Sequence, residues 1–333
     1  MALTQFIQQL EKKFTQSTTG FMEVFLILVI VFILYLPSLF FDFLAISDQK
    51  LLIQNFETEL TLFLSHSNPF TYLSFICNTK LTGFSTFALR STSLILHLIN
   101  IILVFSFSHN FLRLRKRHHG RSAENRITAL FIAFFWGIHP LNSEAVTWIS
   151  ARQSLIFTFI FLVLLSLWIQ YLRSKNILVY GLVILVSIIL FFEQPTAIIL
   201  LPTLVLMDWF LSRKYRQKTK RILEKIPFLI LSIYTFIRYV FVSHGIRQIQ
   251  ESLQITIEQN PFFSITDFQI FNQIVLGCYA LSNYFVKIIL PIFLTHYYPF
   301  PVFPNENISP EYQFFILLAI TILFSYSYLI RYK

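Results

Sequence analysis

The sequence predicts an all-α polytopic membrane protein, and three observations carry that expectation. Of 333 residues, 56 % are hydrophobic and 13 % charged, about half the charged share of an ordinary soluble domain. Apolar stretches of roughly 20 residues recur along the chain, each long enough to cross the hydrocarbon core as a helix. Lys and Arg gather in alternate breaks between these stretches, the pattern of a chain that threads a membrane repeatedly.

The apolar stretches place spans near 22–40, 87–111, 126–139, 154–171, 177–193, 196–211, 226–243 and 312–330. The third and fifth are short and end in polar residues, which suits ends buried in protein. The first is too apolar and too long for a cleaved leader, and no small-residue cleavage site follows it, so it is expected to stay as an anchor. Phe contributes 40 residues and Gly only 7, so most Phe side chains are expected to face lipid. Cys77 and Cys278 lie 200 residues apart in apolar surroundings and imply neither a disulfide framework nor a zinc site.

Charge sets the expected orientation. The breaks "RLRKRHHGR" (113–121), "RSK" (173–175) and "SRKYRQKTKRILEK" (212–225) carry five, two and seven Lys or Arg. With Lys12 and Lys13 they place residues 1–20 and these loops in the cytoplasm, and 21–333 form one transmembrane domain. This distribution also disfavours a nucleic-acid partner, although the net charge is +10. The other loops, 41–86, 139–153, 193–196 and 244–268, are then external. They hold Asp42, Asp48, Glu57, Glu59, Glu144, Glu193, Glu251, Glu258 and Asp267.

Two external loops are too long for turns. Residues 48–64 place Leu51, Leu52, Phe56, Leu60 and Phe63 near helical spacing, as in a helix lying in the interface plane, and 258–271 reads as a second. The stretch 268–311, with Asn272, Asn283, Lys287, Pro291 and "HYYPFPVFP" (296–304), either crosses once or leaves on the side it entered. A cytoplasmic "RYK" terminus makes 268–290 re-entrant or interfacial. The count is about nine membrane segments.

No Gly-rich phosphate loop, GxSxG, HExxH or CxxC occurs, which removes the support for hydrolase, ATPase and metalloprotease readings. What remains is ionisable groups at external span ends: Asp42, Asp48, Arg90, His139, Glu144, Arg152, Glu193 and Lys287. Charges at membrane depth cost several kcal/mol unless paired or solvated in a cavity, so a group of them at one depth suggests a shared polar cavity. Within "GIHPLNSEAVTWISARQS" (137–154), His139-Pro140 stops a helix. Ser143 can cap a new one in which Glu144, Trp148 and Arg152 share a face. An ion-paired structural helix and a ligand-contacting one both fit that spacing. His97, deep in the second span, suits a satisfied intramembrane histidine, and Asp208-Trp209 suits a cytoplasmic-end anchor.

Several of these blocks resemble a known family. "HPLNSEAVTWISARQSLI" (139–156), "EQPTAIILLPTLVLMDWFLSRK" (193–214), "NYFVKIILPIFLTHYYPFP" (283–301) and "FFDFLAISDQ" (40–49) are similar, in order and spacing, to blocks in the membrane half of the transmembrane-and-tetratricopeptide-repeat O-mannosyltransferases and their bacterial relatives. Those are GT-C type glycosyltransferases. The resemblance implies a GT-C-like bundle and a polyprenyl-phosphate sugar as donor substrate. It also implies transfer to an external protein or lipid acceptor, with Asp42 as base and a divalent metal left open. Glu144 and Arg152 would organise the cavity wall, with Asp48 and His139 nearby, and Arg90 and Lys287 would meet the phosphate. A base within hydrogen-bond reach of an acceptor hydroxyl and cations at a departing phosphate are the groups such a transfer needs.

The chain also departs from the family pattern. The paired Asp-Asp reads Phe41-Asp42, the Arg-Pro of the first loop reads Asn68-Pro69, and Arg90 stands where a His is usual. Asn142 and Ser154 replace two polar positions of the His-Pro block, Glu193 or Gln194 replaces a Lys, and the tetratricopeptide repeats are absent. These losses support a second reading, a catalytically degenerate GT-C-like subunit that holds lipid or a partner chain. A lipid transporter or flippase is a third, disfavoured because no inverted repeat is evident. Composition leans towards a bacterial inner membrane rather than the endoplasmic reticulum, with membrane lipids and a companion chain as partners.

Overall fold

A computed structural model describes residues 22–43, 68–83, 85–115, 122–211, 218–238, 270–292, 294–295, 312 and 315. Among these, every element is a helix. Three are long and apolar enough to cross a membrane: Met22–Phe40, Thr86–Leu114 and Ile149–Ser174. Ile177–Glu193 and Pro195–Phe210 are shorter apolar helices.

Met1–Ile246 form one compact unit. Its first helix, α1, covers 22–35 and tightens into a 3-10 turn over Leu36–Phe40, where Pro37 interrupts the α-helical ladder. Helix α2, Pro69–Thr82, opens with proline in its first turn, where a missing N–H costs nothing, and stops at Gly83, whose φ of 74° excludes most other residues. Helix α3 follows at Thr86–Arg115, then α4 at Ser122–Gly137 and a short α5 at Asn142–Thr147. Helix α6, Arg152–Ser174, ends with Lys175 left-handed at φ 55°, and Asn176 caps α7, Ile177–Glu193, by accepting from Leu178 N–H at 2.9 Å. A 3-10 turn over Pro195–Ile199 leads into α8, Leu200–Phe210; then come α9, Lys218–Leu223, and α10, 226–238.

The pairings fix how these helices run. His97 on α3 meets Gly137 at the end of α4, so those two are antiparallel. Arg152 reaches Leu89 and Arg173 reaches Asn110, so α3 and α6 run parallel. Tyr171 packs on Tyr180 across the α6–α7 turn, and Phe111 stacks on Phe210 of α8. The unit therefore has two ends. One gathers the start of α3 and α6, the close of α4 and α7, and helices α2 and α5. The other carries the basic turns.

Packing is inverted relative to a water-soluble bundle. On α4, Ala129 and Ala133 face inward while Ile127, Phe131 and Phe135 are exposed, small residues against neighbours and bulky ones outward, as lipid-facing helices require. Gly137 allows α1, α3 and α4 to close: a Cβ there would stand 2.8 Å from Ile101 Cδ1 and 3.3 Å from Val31 Cγ2. The larger core layer joins Leu164, Trp168, Val183, Leu190, Leu200, Leu204 and Phe228. At the basic end a polar plug fastens α10: Tyr171 donates to Glu224 Oε1 at 2.7 Å, Tyr180 donates to the Glu224 carbonyl at 3.0 Å, and Lys225 pairs with buried Asp208 beneath the Trp168 ring. Asp208 is thus an ion-pair partner inside the fold, and more than the terminal anchor its position beside Trp209 suggested.

Several expectations change. The loop expected over 41–86 contains α2, half-sunk against its neighbours with Thr71, Tyr72, Phe75, Ile76 and Asn78 buried. The span expected at 196–211 begins as a 3-10 turn. The interfacial helices expected at 48–64 and 258–271, and the span at 312–330, lie almost wholly outside the described residues.

Arg247–Lys333 form the second unit, in which α11 covers Ile270–Ile289. Its 20 residues are unbroken, about 30 Å of helix, so the chain does not turn back within it and the re-entrant form of the 268–290 expectation fails. Tyr279 meets Tyr312 and Phe315 edge-on at 5.2 and 4.9 Å, and Lys287 sits in the last turn.

Glu193 explains why α2 stays seated. Its carboxylate, 1 % exposed, accepts from the backbone N–H of Phe70 at 2.8 Å and of Thr71 at 3.2 Å, and from the Thr71 hydroxyl. These are the free donors of the first turn of α2, satisfied by an acid from the end of another helix whose negative charge suits the dipole at the start of α2. Glu193→Ala is expected to cost about 2 kcal/mol and Glu193→Gln less, because buried N–H groups lose a charged acceptor. Thermal unfolding of the purified chain in detergent checks this; equal midpoints for all three proteins would refute the capping role.

Candidate functional site

The stretch 137–154 turns the chain between α4 and α6. His139 and Pro140 close α4: His139 N–H donates to Trp136 O at 3.3 Å, and the Asn142 side-chain amide donates to the same carbonyl at 2.6 Å. His139 Nδ1 accepts from Leu141 N–H at 3.3 Å, which leaves the ring proton on Nε2 when the ring is neutral. The helix that restarts is only six residues long. Leu141 rather than Ser143 is its N-cap, and the Ser143 hydroxyl donates back to Pro140 O at 2.6 Å.

The expected shared face of Glu144, Trp148 and Arg152 is therefore absent. Trp148 is extended at φ −95°, ψ 119°, a 3-10 turn covers Ile149–Ala151, and Arg152 opens α6. The break sends the two charges apart: Glu144 is exposed and Arg152 is fully buried. Helical spacing alone could not show this, because no proline or glycine marks Trp148.

Arg152 is the polar centre of this end. Its guanidinium donates to Leu89 O at 2.6 Å, Asn78 Oδ1 at 2.9 Å, and the hydroxyls of Ser93 and Ser74 at 3.3 Å each, and lies 4.2 Å from the centre of the Phe75 ring. All these acceptors are neutral, and among the described residues no carboxylate pairs with it. Ser74 and Asn78 lie four apart on α2, one face turned to the cation. Their role was missed from the sequence, although two polar residues at that interval in an otherwise apolar helix were the available signal.

Arg90, 2 % exposed, works beside it. One guanidinium nitrogen donates to Thr147 O and another to Asp42 O at 2.7 Å. It thereby ties the residue after α1 to the end of α5, and holds Asp42, whose side chain is exposed, beside the helix that carries Glu144. Below this layer His97 is buried between Tyr35 and Trp136, with Nε2 donating to Gly137 O at 3.0 Å, and Asn100 donates to Leu155 O at 3.0 Å. The satisfied-histidine expectation holds for that nitrogen, while Nδ1 lacks a partner.

A cavity of about 260 Å³ opens here, lined by Trp136, Asn142, Glu144, Ser154 and Thr158 with Leu141, Ala145, Ala151 and Leu155. An indole, a carboxylate, an amide and two hydroxyls around one space can accept hydrogen bonds, donate them and stack on a ring with polar edges. Two of the lining residues, Asn142 and Ser154, are positions where the chain departs from the resembled pattern. Asp42, Arg90, Glu144 and Arg152 thus share one end of the unit, with only Glu144 on the cavity wall. Lys287 lies in the second unit, and Asp48 lies outside the described residues. Among the described residues no three His, Cys, Asp or Glu side chains gather as a metal-ligand set.

Arg152→Met is expected to destabilise the chain by about 3 kcal/mol, since four acceptors lose their donor. Arg152→Lys should recover part of that loss, because an ammonium keeps the charge without the fork. Unfolding midpoints in detergent measure both, and a methionine variant as stable as the parent would show that the cation organises nothing.

In comparisons with known proteins, no protein-family model, curated protein or solved structure matches the chain.

Proposed function

We propose that the chain is a GT-C-like membrane glycosyltransferase. It moves a sugar from a polyprenyl-phosphate donor to a protein or lipid hydroxyl at the end of the bundle where α2 and α5 lie. The observation that carries the reading is the Arg90 tie, which sets the Asp42 backbone against the end of α5, the helix that lends Glu144 to a sugar-sized cavity. An exposed carboxylate so placed can take the acceptor proton as the sugar's anomeric carbon leaves its phosphate. Arg90 acts through position, because its guanidinium is already held by two carbonyl oxygens.

The commitment of buried Arg152 to neutral protein acceptors favours a second reading. A phosphate-stabilising cation should have donors to spare, and Arg152 spends its fork on four acceptors within the fold. That arrangement suits a GT-C-like scaffold which retains the framework without transfer and serves as a subunit of a larger membrane assembly.

The test uses the full chain in proteoliposomes supplied with radiolabelled polyprenyl-phosphate mannose and a hydroxyl-bearing acceptor peptide or lipid. The expected result is transfer that falls at least about 100-fold in Asp42→Asn. Glu144→Gln should raise the donor concentration for half-maximal rate, and Arg90→Lys should lower kcat with little change in KM. Undiminished transfer in Asp42→Asn sinks the catalytic assignment. No turnover with any donor, together with fixed-ratio co-purification with other membrane chains, establishes the scaffold reading.

A further inference from the structure

At the opposite end of the first unit lies a second polar feature that the proposed transfer does not use. A cavity of about 530 Å³ runs between α3 and α6, lined by Ser106, Asn110, Ser166, Gln170 and Arg173 on its polar side and by Leu103, Val163, Leu167 and Ile169 on its apolar side. Asn110 organises it. Its side-chain oxygen and its carbonyl accept from the two terminal nitrogens of Arg173 at 3.2 and 2.9 Å, which fixes an otherwise exposed guanidinium at the rim. The Asn110 amide in turn points to Ser106 Oγ at 3.5 Å.

Around this rim the charge is one-sided. His109 lies within electrostatic reach of Arg113, Arg126 and Arg173 together, and Arg113 and Arg173 also feel each other. Glu23 pairs with Arg126 at 3.2 Å. Among the described residues no carboxylate pairs with Arg113 or Arg173, and both are exposed. Placing two like charges together without a counter-ion is unfavourable for the chain alone and becomes favourable when an anion sits between them. Gln170, exposed in the last two turns of an apolar helix, adds an amide that a bare hydrocarbon neighbour would leave unsatisfied.

We propose that this groove binds the headgroup of an anionic phospholipid, with its phosphate at Arg173 and Arg113. The glycerol and headgroup hydroxyls lie along Ser166, Gln170 and Ser106, and an acyl chain lies against Leu103, Val163 and Leu167. Charge complementarity selects this occupant. Two guanidinium groups that no carboxylate among the described residues neutralises suit a phosphate diester, and the polar-to-apolar gradient along the cavity matches a molecule with a charged head and an apolar tail. The basic rim also faces the leaflet that the distribution of Lys and Arg assigns to the cytoplasm, where anionic lipid is available.

The experiment reconstitutes the full chain in mixed phosphatidylglycerol and phosphatidylcholine vesicles, extracts it gently, and counts retained lipid by native mass spectrometry. The expected result is preferential retention of phosphatidylglycerol. In the double variant Arg113→Gln, Arg173→Gln that preference should fall by roughly thirtyfold, about the effect of removing two surface cations. Asn110→Ala, which leaves both charges in place but frees Arg173, should fall by a smaller factor. Lys220→Gln with Lys218→Gln on α9 serves as the charge-matched control and should retain the parent preference. Equal retention of the two lipids by the parent protein overturns the proposal, as does an equal fall in the α9 control. Unfolding midpoints in phosphatidylcholine alone show whether a variant has merely failed to fold.

Discussion

The first unit is built around a cation that no carboxylate among the described residues answers. Arg152 opens α6, where the helix dipole already presents positive potential, and it is completely buried. Removing an isolated guanidinium from water costs several kcal/mol, and a carboxylate partner would be the ordinary remedy. Here the cost is met by dispersal: a carbonyl, an amide oxygen, two hydroxyls and an aromatic face divide the charge among α2 and α3. Each partner must stay in place for the others to suffice. The position of α2 against α3, and hence the start of the short connection to α3 through Gly83, follows from that requirement.

Arg90, beside Arg152, gives donors to the carbonyls of Thr147 and Asp42. Arg90 thus acts on backbone, whereas Arg152 combines one carbonyl with three side-chain oxygens of α2 and α3. Asn142 and Ser154 lie on the cavity wall, apart from the groups these arginines hold.

What could be read from the sequence divides by the kind of physics involved. Apolar length located α3, α6 and α7 to within a few residues, because a hydrophobic run has no other way to satisfy its backbone in lipid. The stop at His139-Pro140 was visible for a similarly local reason. The break at Trp148 was not, since it follows from seating Val146, Ile149 and Arg152 in separate places, and those destinations lie on other helices. Helix α2 was hidden inside what read as a loop, because its polar residues were scored as exposure when they are partners for buried charges. Glu193 was counted among groups available for chemistry, yet the donors it serves stand more than 120 residues earlier. Identity of the ionisable residues was legible; the direction each one faces was a property of the whole bundle.

That last separation bears on how the protein comes to exist. The residues of α2 are made long before the acid that completes their first turn, for Phe70 and Thr71 precede Glu193 by 123 and 122 positions. Arg152, which holds the middle of the same helix, is itself 78 residues downstream of Ser74. During synthesis α2 can form, but it has no seat until α6 and α7 have entered the membrane, and until then its open amide groups need water or the insertion machinery. Assembly of this end therefore runs from the later helices back to the earlier one, with residues 69–82 seated after Arg152 and Glu193 are in place.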